Sequence, residues 1–169
     1  MITIEKESMP VEKKSLRVGK YVGNEHVDMV VRNYKKERWI HNSERIGKED
    51  SLSAWFSVEE LEEYIEMIKA HAADGIKFYF GAYPENYAPK PEYSSRQTIV
   101  LVATKSKETE NGIVNKDLYI TKNGTSTVMG LNMASLCPPL CGSFSKTENK
   151  TGDLGVVIIE RSDKGLSVI

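Results

Sequence analysis

The most strongly patterned part of the chain is residues 53–103. Apolar side chains recur at Val58, Leu61, Tyr64, Ile65, Ile68 and Ala72, while Glu59, Glu62, Glu63, Glu66 and Lys69 fall between them. That period lines one face of a helix with apolar groups and leaves the other face wet. Ser57 followed three residues later by Glu60 has the form of a capping box, and Phe56 ahead of it can staple onto Leu61. Gly75 is the expected stop. IKFYF at 76–80 and TIVLVA at 98–103 are rich in aromatic and β-branched residues and read as strands. The second is apolar on both faces, the pattern of a central strand.

The remaining chain attaches to this helix and strand pair. Residues 1–16 mix Glu and Lys with Pro10 and a few apolar groups, the composition of a loosely held arm. A further helix is expected from Asn24, which can cap it, with Val27, Val30, Val31, Tyr34 and Arg38 on one stripe. Residues 39–50 then read as a polar connection. Downstream, KSKETENG at 105–112 reads as a polar turn closed by Asn111 and Gly112, and KDLYIT at 116–121 as a third strand. Asn123 and Gly124 are a second turn signal. Residues 128–153 look irregular, and LGVVIIER followed by LSVI suggests a terminal hairpin. Helices first and hairpin-linked strands afterwards favour an α+β fold, a mainly antiparallel sheet of about four to five strands with two helices on one face. One domain over residues 17–169 accommodates all of it.

Composition narrows the function classes. With 169 residues, 28% charged and 40% hydrophobic, the chain has ordinary globular usage. A formal net charge of −1 gives no general attraction to nucleic acid or to an anionic membrane. No apolar run approaches the roughly 20 residues of a spanning helix, and the start MITIEKESMPVEKK lacks the apolar core of a secretory signal. A cytoplasmic location is therefore expected.

Three places carry candidate chemistry. The loop GAYPENYAPKPEYSSR at 81–96 interleaves Tyr83, Tyr87 and Tyr93 with Lys90 and Arg96, a mixture able to stack on a ligand or grip a peptide. Its plainer reading is a proline-stiffened loop whose tyrosines cover the sheet edge. Cys137 and Cys141 in CPPLC are candidates for redox or metal chemistry. Their spacing of three departs from the usual two, and a polyproline path would hold them roughly 12 Å apart, so pairing needs an intervening turn. Buried or inert thiols are the first reading, a disulfide or redox pair the second and zinc the last, because His26, His41 and His71 stand at no matching spacing. Leu136 and Leu140 are expected to anchor this segment as a cover over the sheet. His71 with Asp74 can orient a base, but no serine or cysteine is singled out as its nucleophile. Neither a Walker loop nor a dinucleotide fingerprint occurs, and no cofactor and no metal are expected.

With WFS before a helix, GIKFYFG, TIVLVA and CPPLC followed by Gly142, residues 27–142 resemble a family of small bacterial proteins. Its members carry a helix pair, a GIRIYFG-like strand, an LVLV-like strand and a late CPPxC. The resemblance implies the same architecture and a shared role for CPPLC, and no activity. The function expected from the sequence is a non-enzymatic binding or regulatory module using the 81–96 loop, with a small redox or metal-dependent protein centred on Cys137 and Cys141 as the alternative. The partner is an unidentified protein or small ligand, and the oligomeric state is open.

Overall fold

The computed structural model describes residues 17–141, 159–162 and 165–168; the expected arm at 1–16 and the run 154–158 lie outside them. The chain enters helix α1 (Asn24–Tyr34), continues through a π-helical stretch (Lys35–Trp39) and leaves by α2 (Ile40–Ile46). Two expectations are corrected here. Asn24 is the first helical residue, not the cap, a position held by extended Gly23 with no side-chain bond. The segment 39–46 is helix, not a connection. The stop falls at Gly47, whose positive φ of 69° lets its N–H reach the Glu44 carbonyl while Lys48 N–H reaches that of Ser43.

After β1 (Ser53–Trp55) comes α3 (Val58–Ala70), opened by the expected capping box. Ser57 Oγ accepts from Glu60 N at 3.0 Å, and Glu60 Oε2 accepts from Ser57 N at 2.8 Å. The helix ends before Gly75: the left-handed residue is Ala72 (φ 60°), and Ala73 N–H closes onto the Ile68 carbonyl. Gly75 serves packing instead, since a Cβ there would lie 2.8 Å from Thr104 Oγ1.

Strands β2 (Gly75–Ala82) and β3 (Gln97–Thr109) pair antiparallel over the whole of β2. β3 is longer than its apolar portion. Lys105 to Thr109 continue it as a strand and pair with β4 (Gly112–Asp117), so the expected eight-residue turn shrinks to Glu110 and Asn111. The expected third strand is broken at Leu118, after which β5 (Tyr119–Lys122) and β6 (Thr125–Val128) form a separate hairpin. Asn123 (φ 52°) and Gly124 (φ 78°) supply its turn as expected. The described part of the stretch expected to be irregular, residues 128–141, holds two short strands. β7 (Gly130–Leu131) joins β3, and β8 (Ser135–Cys137) joins β1. β9 (Ile159–Ser162) and β10 (Gly165–Val168) make the terminal hairpin.

The fold is α+β, and every strand pairing among the described residues is antiparallel. The strands divide more finely than expected, into a four-stranded sheet (β2, β3, β4 and β7) and separate two-stranded pairs. β3 is central, as its two apolar faces require. Tyr64 and Ile68 of α3 pack on Leu101 and Ala103 of β3, with Phe56 and Leu61 against the same cluster. Each large side chain fully buried there contributes about 1.5–3 kcal/mol, more than the cap's roughly 1 kcal/mol.

Candidate binding site: an aromatic strand edge

A second cluster forms beneath the proline-rich loop, from Tyr83, Tyr93, Ala134 and Leu136. The residues expected to meet a ligand are largely its interior. Tyr93 is fully buried and donates its hydroxyl to the Ala134 carbonyl at 3.1 Å. Tyr83 is buried, donates to Asn132 Oδ1 at 2.7 Å and stacks on Tyr87 with ring centroids 4.4 Å apart. Tyr87 is half-buried with its hydroxyl on Met133 Sδ. Lys90 lies over the Tyr93 ring at 4.7 Å. Arg96 is buried, and its guanidinium donates to the carbonyls of Glu92 and Glu49. Burial pulls its pKa down, opposed by the nearby carboxylates of Asp50 and Glu49. The structure brings all five together, but as a packed support for the loop.

Arg96 belongs to a buried polar node that ties the N-terminal helices to the sheet. Asp50 Oδ1 accepts from the N–H groups of Ser51 (2.7 Å) and Gln97 (2.6 Å). Trp39 Nε1 donates to the Asp50 carbonyl at 2.7 Å, and Tyr34 donates to Gln97 Oε1 at 2.6 Å. Burial, then the charge of Asp50, raises the Tyr34 pKa. The adjoining cavity, lined by Ser51, Ala54, Gln97, Thr98 and Leu136 among others, measures about 30 Å³, room for a water and too small for a substrate.

The CPPLC segment is corrected more sharply. Cys137 and Cys141 form a disulfide, with Cα atoms 4.6 Å apart, in place of free thiols. The extended path is not taken because Leu140 N–H turns back onto the Leu136 carbonyl at 2.8 Å; both X–Pro bonds are cis. The anchor is Leu136, fully buried, together with buried Pro138, whose carbonyl accepts from Ser51 Oγ; Leu140 is 50% exposed. Cys141 lies at the surface and Cys137 is half-buried. His71 and Asp74 do not pair. His71 Nδ1 meets the Met67 carbonyl, and both Asp74 oxygens accept from Ser106 N. Among the described residues, no group of three or more His, Cys, Asp or Glu could hold a metal, and no helix is long and apolar enough to cross a membrane.

What the sequence reading missed is the outer strand. β2 ends the β2-β3-β4 order and has one strand partner among the described residues. Phe78, Tyr79 and Phe80 on it are 59%, 42% and 81% exposed. The bond pattern gives its direction. Tyr83 N–H points to Arg96, and Ala103 N–H points away from β2 to the Met129 carbonyl. By antiparallel alternation the N–H and C=O groups of Ile76, Phe78 and Phe80 therefore face outward. Lys77 and Tyr79, on the opposite face, both bind Asp117 at 2.8 Å, which holds that carboxyl below its usual pKa. The available signal was IKFYF itself, apolar on the face of Ile76, Phe78 and Phe80 and carrying a single charge, Lys77, on the other.

Comparison with family models, with curated proteins and with solved structures found no match.

Proposed function

We propose that the protein is a non-enzymatic binding module whose partner surface is the β2 edge. The observation that carries this is the run of three exposed aromatic residues on a strand with a free outer side among the described residues. Natural sheets guard such edges with charges, prolines or bulges. Here Lys77, the one charge on the strand, is drawn to Asp117 across the sheet. An edge of this kind suits an added strand, with main-chain bonds for affinity and the aromatics for selectivity. The 81–96 loop then supports the strand end from behind and is not the contact surface. Selecting displayed peptides on the full chain tests this. Extended peptides that bind wild type and lose binding to Phe80→Lys support the reading; peptides that bind both equally exclude the edge.

A second reading rests on the Cys137–Cys141 bridge beside exposed Cys141. A cytosolic location suits such a bridge only when it is made and broken in use. The cytoplasmic and redox readings therefore stand together, and trapping thiols in intact cells tests both. A bridge that remains fully oxidised there removes the pair of readings. Kinship with the small bacterial proteins that share a CPPxC remains part of the same proposal.

A further inference from the structure

We infer that the strand taken by the β2 edge is β2 of a second copy of this chain, in antiparallel register about a two-fold axis through Phe78. This rests on the reading of the edge as a binding surface. The segment Gly75-Ile76-Lys77-Phe78-Tyr79-Phe80-Gly81 is close to self-complementary when reversed. Phe78 meets its own copy, Ile76 meets Phe80, Lys77 meets Tyr79 and Gly75 meets Gly81. Because Ile76, Phe78 and Phe80 turn their peptide groups outward, these are hydrogen-bonded pairs, giving about six new bonds. The apolar pairs all lie on the face that carries α3, because Ile76, Phe78 and Phe80 oppose Ala103, Leu101 and Ile99 of β3, each packed in or against the α3 cluster. Cross-strand aromatic pairs of this kind are favourable. On the other face, Lys77 already sits 5.9 Å from its own Tyr79 ring and is neutralised by Asp117, so the pairing buries no unpaired charge.

The competing register, centred on Tyr79, sets Ile76 against Ala82 and Lys77 against Gly81, and it gathers two Tyr79–Asp117 pairs at the axis. It keeps Phe78 against Phe80, but it leaves Ile76 only the Ala82 methyl to pack on and takes Lys77 away from the partner's Tyr79 ring. At about 200 Å² for each aromatic side chain, the exposed fractions offer roughly 350 Å² per protomer. With the strand backbone the total approaches about 1,000 Å², the low end for specific association. The assembly is accordingly a weak, concentration-dependent dimer, self-complementary as a two-fold interface must be.

Sedimentation of the full chain from about 5 to 500 µM is the test, a range suited to an interface at the low end for specific association. Phe80→Lys should raise the dissociation constant at least tenfold. Phe78→Cys should cross-link to a disulfide dimer on mild oxidation, because hydrogen-bonded antiparallel partners lie about 5.5 Å apart, within disulfide reach. Tyr79→Cys should cross-link much less. A monomer at every concentration overturns the inference, as does a dimer unaffected by Phe80→Lys or one that cross-links through Tyr79→Cys in preference. If the chain is monomeric yet displayed peptides still need Phe80, the edge binds foreign strands and only the self-pairing fails. If neither is seen, the reading of the edge fails with it.

Discussion

Tyr93 and Leu136 are bound to each other: the Leu136 N–H donates to the Tyr93 hydroxyl at 3.3 Å, and both residues have zero exposure. The same hydroxyl donates to Ala134. Removing it strands a buried N–H and a buried carbonyl, so Tyr93→Phe should cost about 1–3 kcal/mol. Tyr93→Ala adds a cavity and should cost about 3–5 kcal/mol. Urea midpoints measure both. Equal stability of Tyr93→Phe and wild type would mean the loop is not a packed core.

The Cys137–Cys141 bridge spans a sequence separation of only 4. So short a loop gives about 2 kcal/mol in the chain-entropy model, less when prolines already restrict the unfolded chain. Cys137→Ser with Cys141→Ser should therefore shift the urea midpoint modestly. Leu136→Ala and Leu101→Ala, both at fully buried sites, should each cost about 2–5 kcal/mol. Leu61 is only partly buried and belongs at the foot of that range. A double serine variant more damaging than Leu101→Ala would assign the bridge a larger structural role.

Asp117 has a lowered pKa, first through its bond from Lys77 and then through that from Tyr79. A carboxyl depressed on folding adds stability that is present above its unfolded pKa and lost as pH falls through the folded value. Lys77 is raised by the same bond, and its share is lost only as pH climbs through that raised value. Asp117→Asn should flatten the acid limb of stability below about pH 4, the ordinary carboxylate range. An unchanged acid limb in chemical denaturation at stepped pH would show that the pair adds nothing.

Ser57→Ala removes the acceptor for Glu60 N and should cost about 1 kcal/mol. Ser57→Gly should cost only a few tenths, since glycine leaves that N–H open to water. Thermal melts of the two variants side by side separate capping from a general loss of helix.

Features set by neighbours in the chain were legible before the structure. The Ser57 and Glu60 box, the Asn123 and Gly124 turn and the strand character of 76–80 and 98–103 are local chemistry, and each stands where the pattern put it. Features set across the fold were not. Tyr83, Tyr87 and Tyr93 follow neither period, and an amphipathic ring suits an interior or a surface equally well. Lys105 to Thr109 look like a turn by composition, and only pairing with β4 makes them strand. The nearness of Cys137 to Cys141 depends on a turn that two prolines alone did not specify. Gly75 read as a stop because glycine ends helices, whereas Ala72 takes the left-handed turn and Gly75 is needed for contact with Thr104.

Ala103 offers both backbone groups to two distant points of the chain, its N–H to Met129 and its carbonyl to Leu118. Leu118 and Met129 are therefore held side by side, and everything between them leaves the sheet and returns to the same spot. The β5–β6 hairpin is a closed excursion, outward from one residue of β3. Relatives of this protein are free to lengthen, shorten or drop residues 119–128 without rethreading any strand, and differences in length among them should collect there. For an engineer, the Asn123 and Gly124 tip is the port through which a foreign domain can be inserted while the ends of the interruption stay in register.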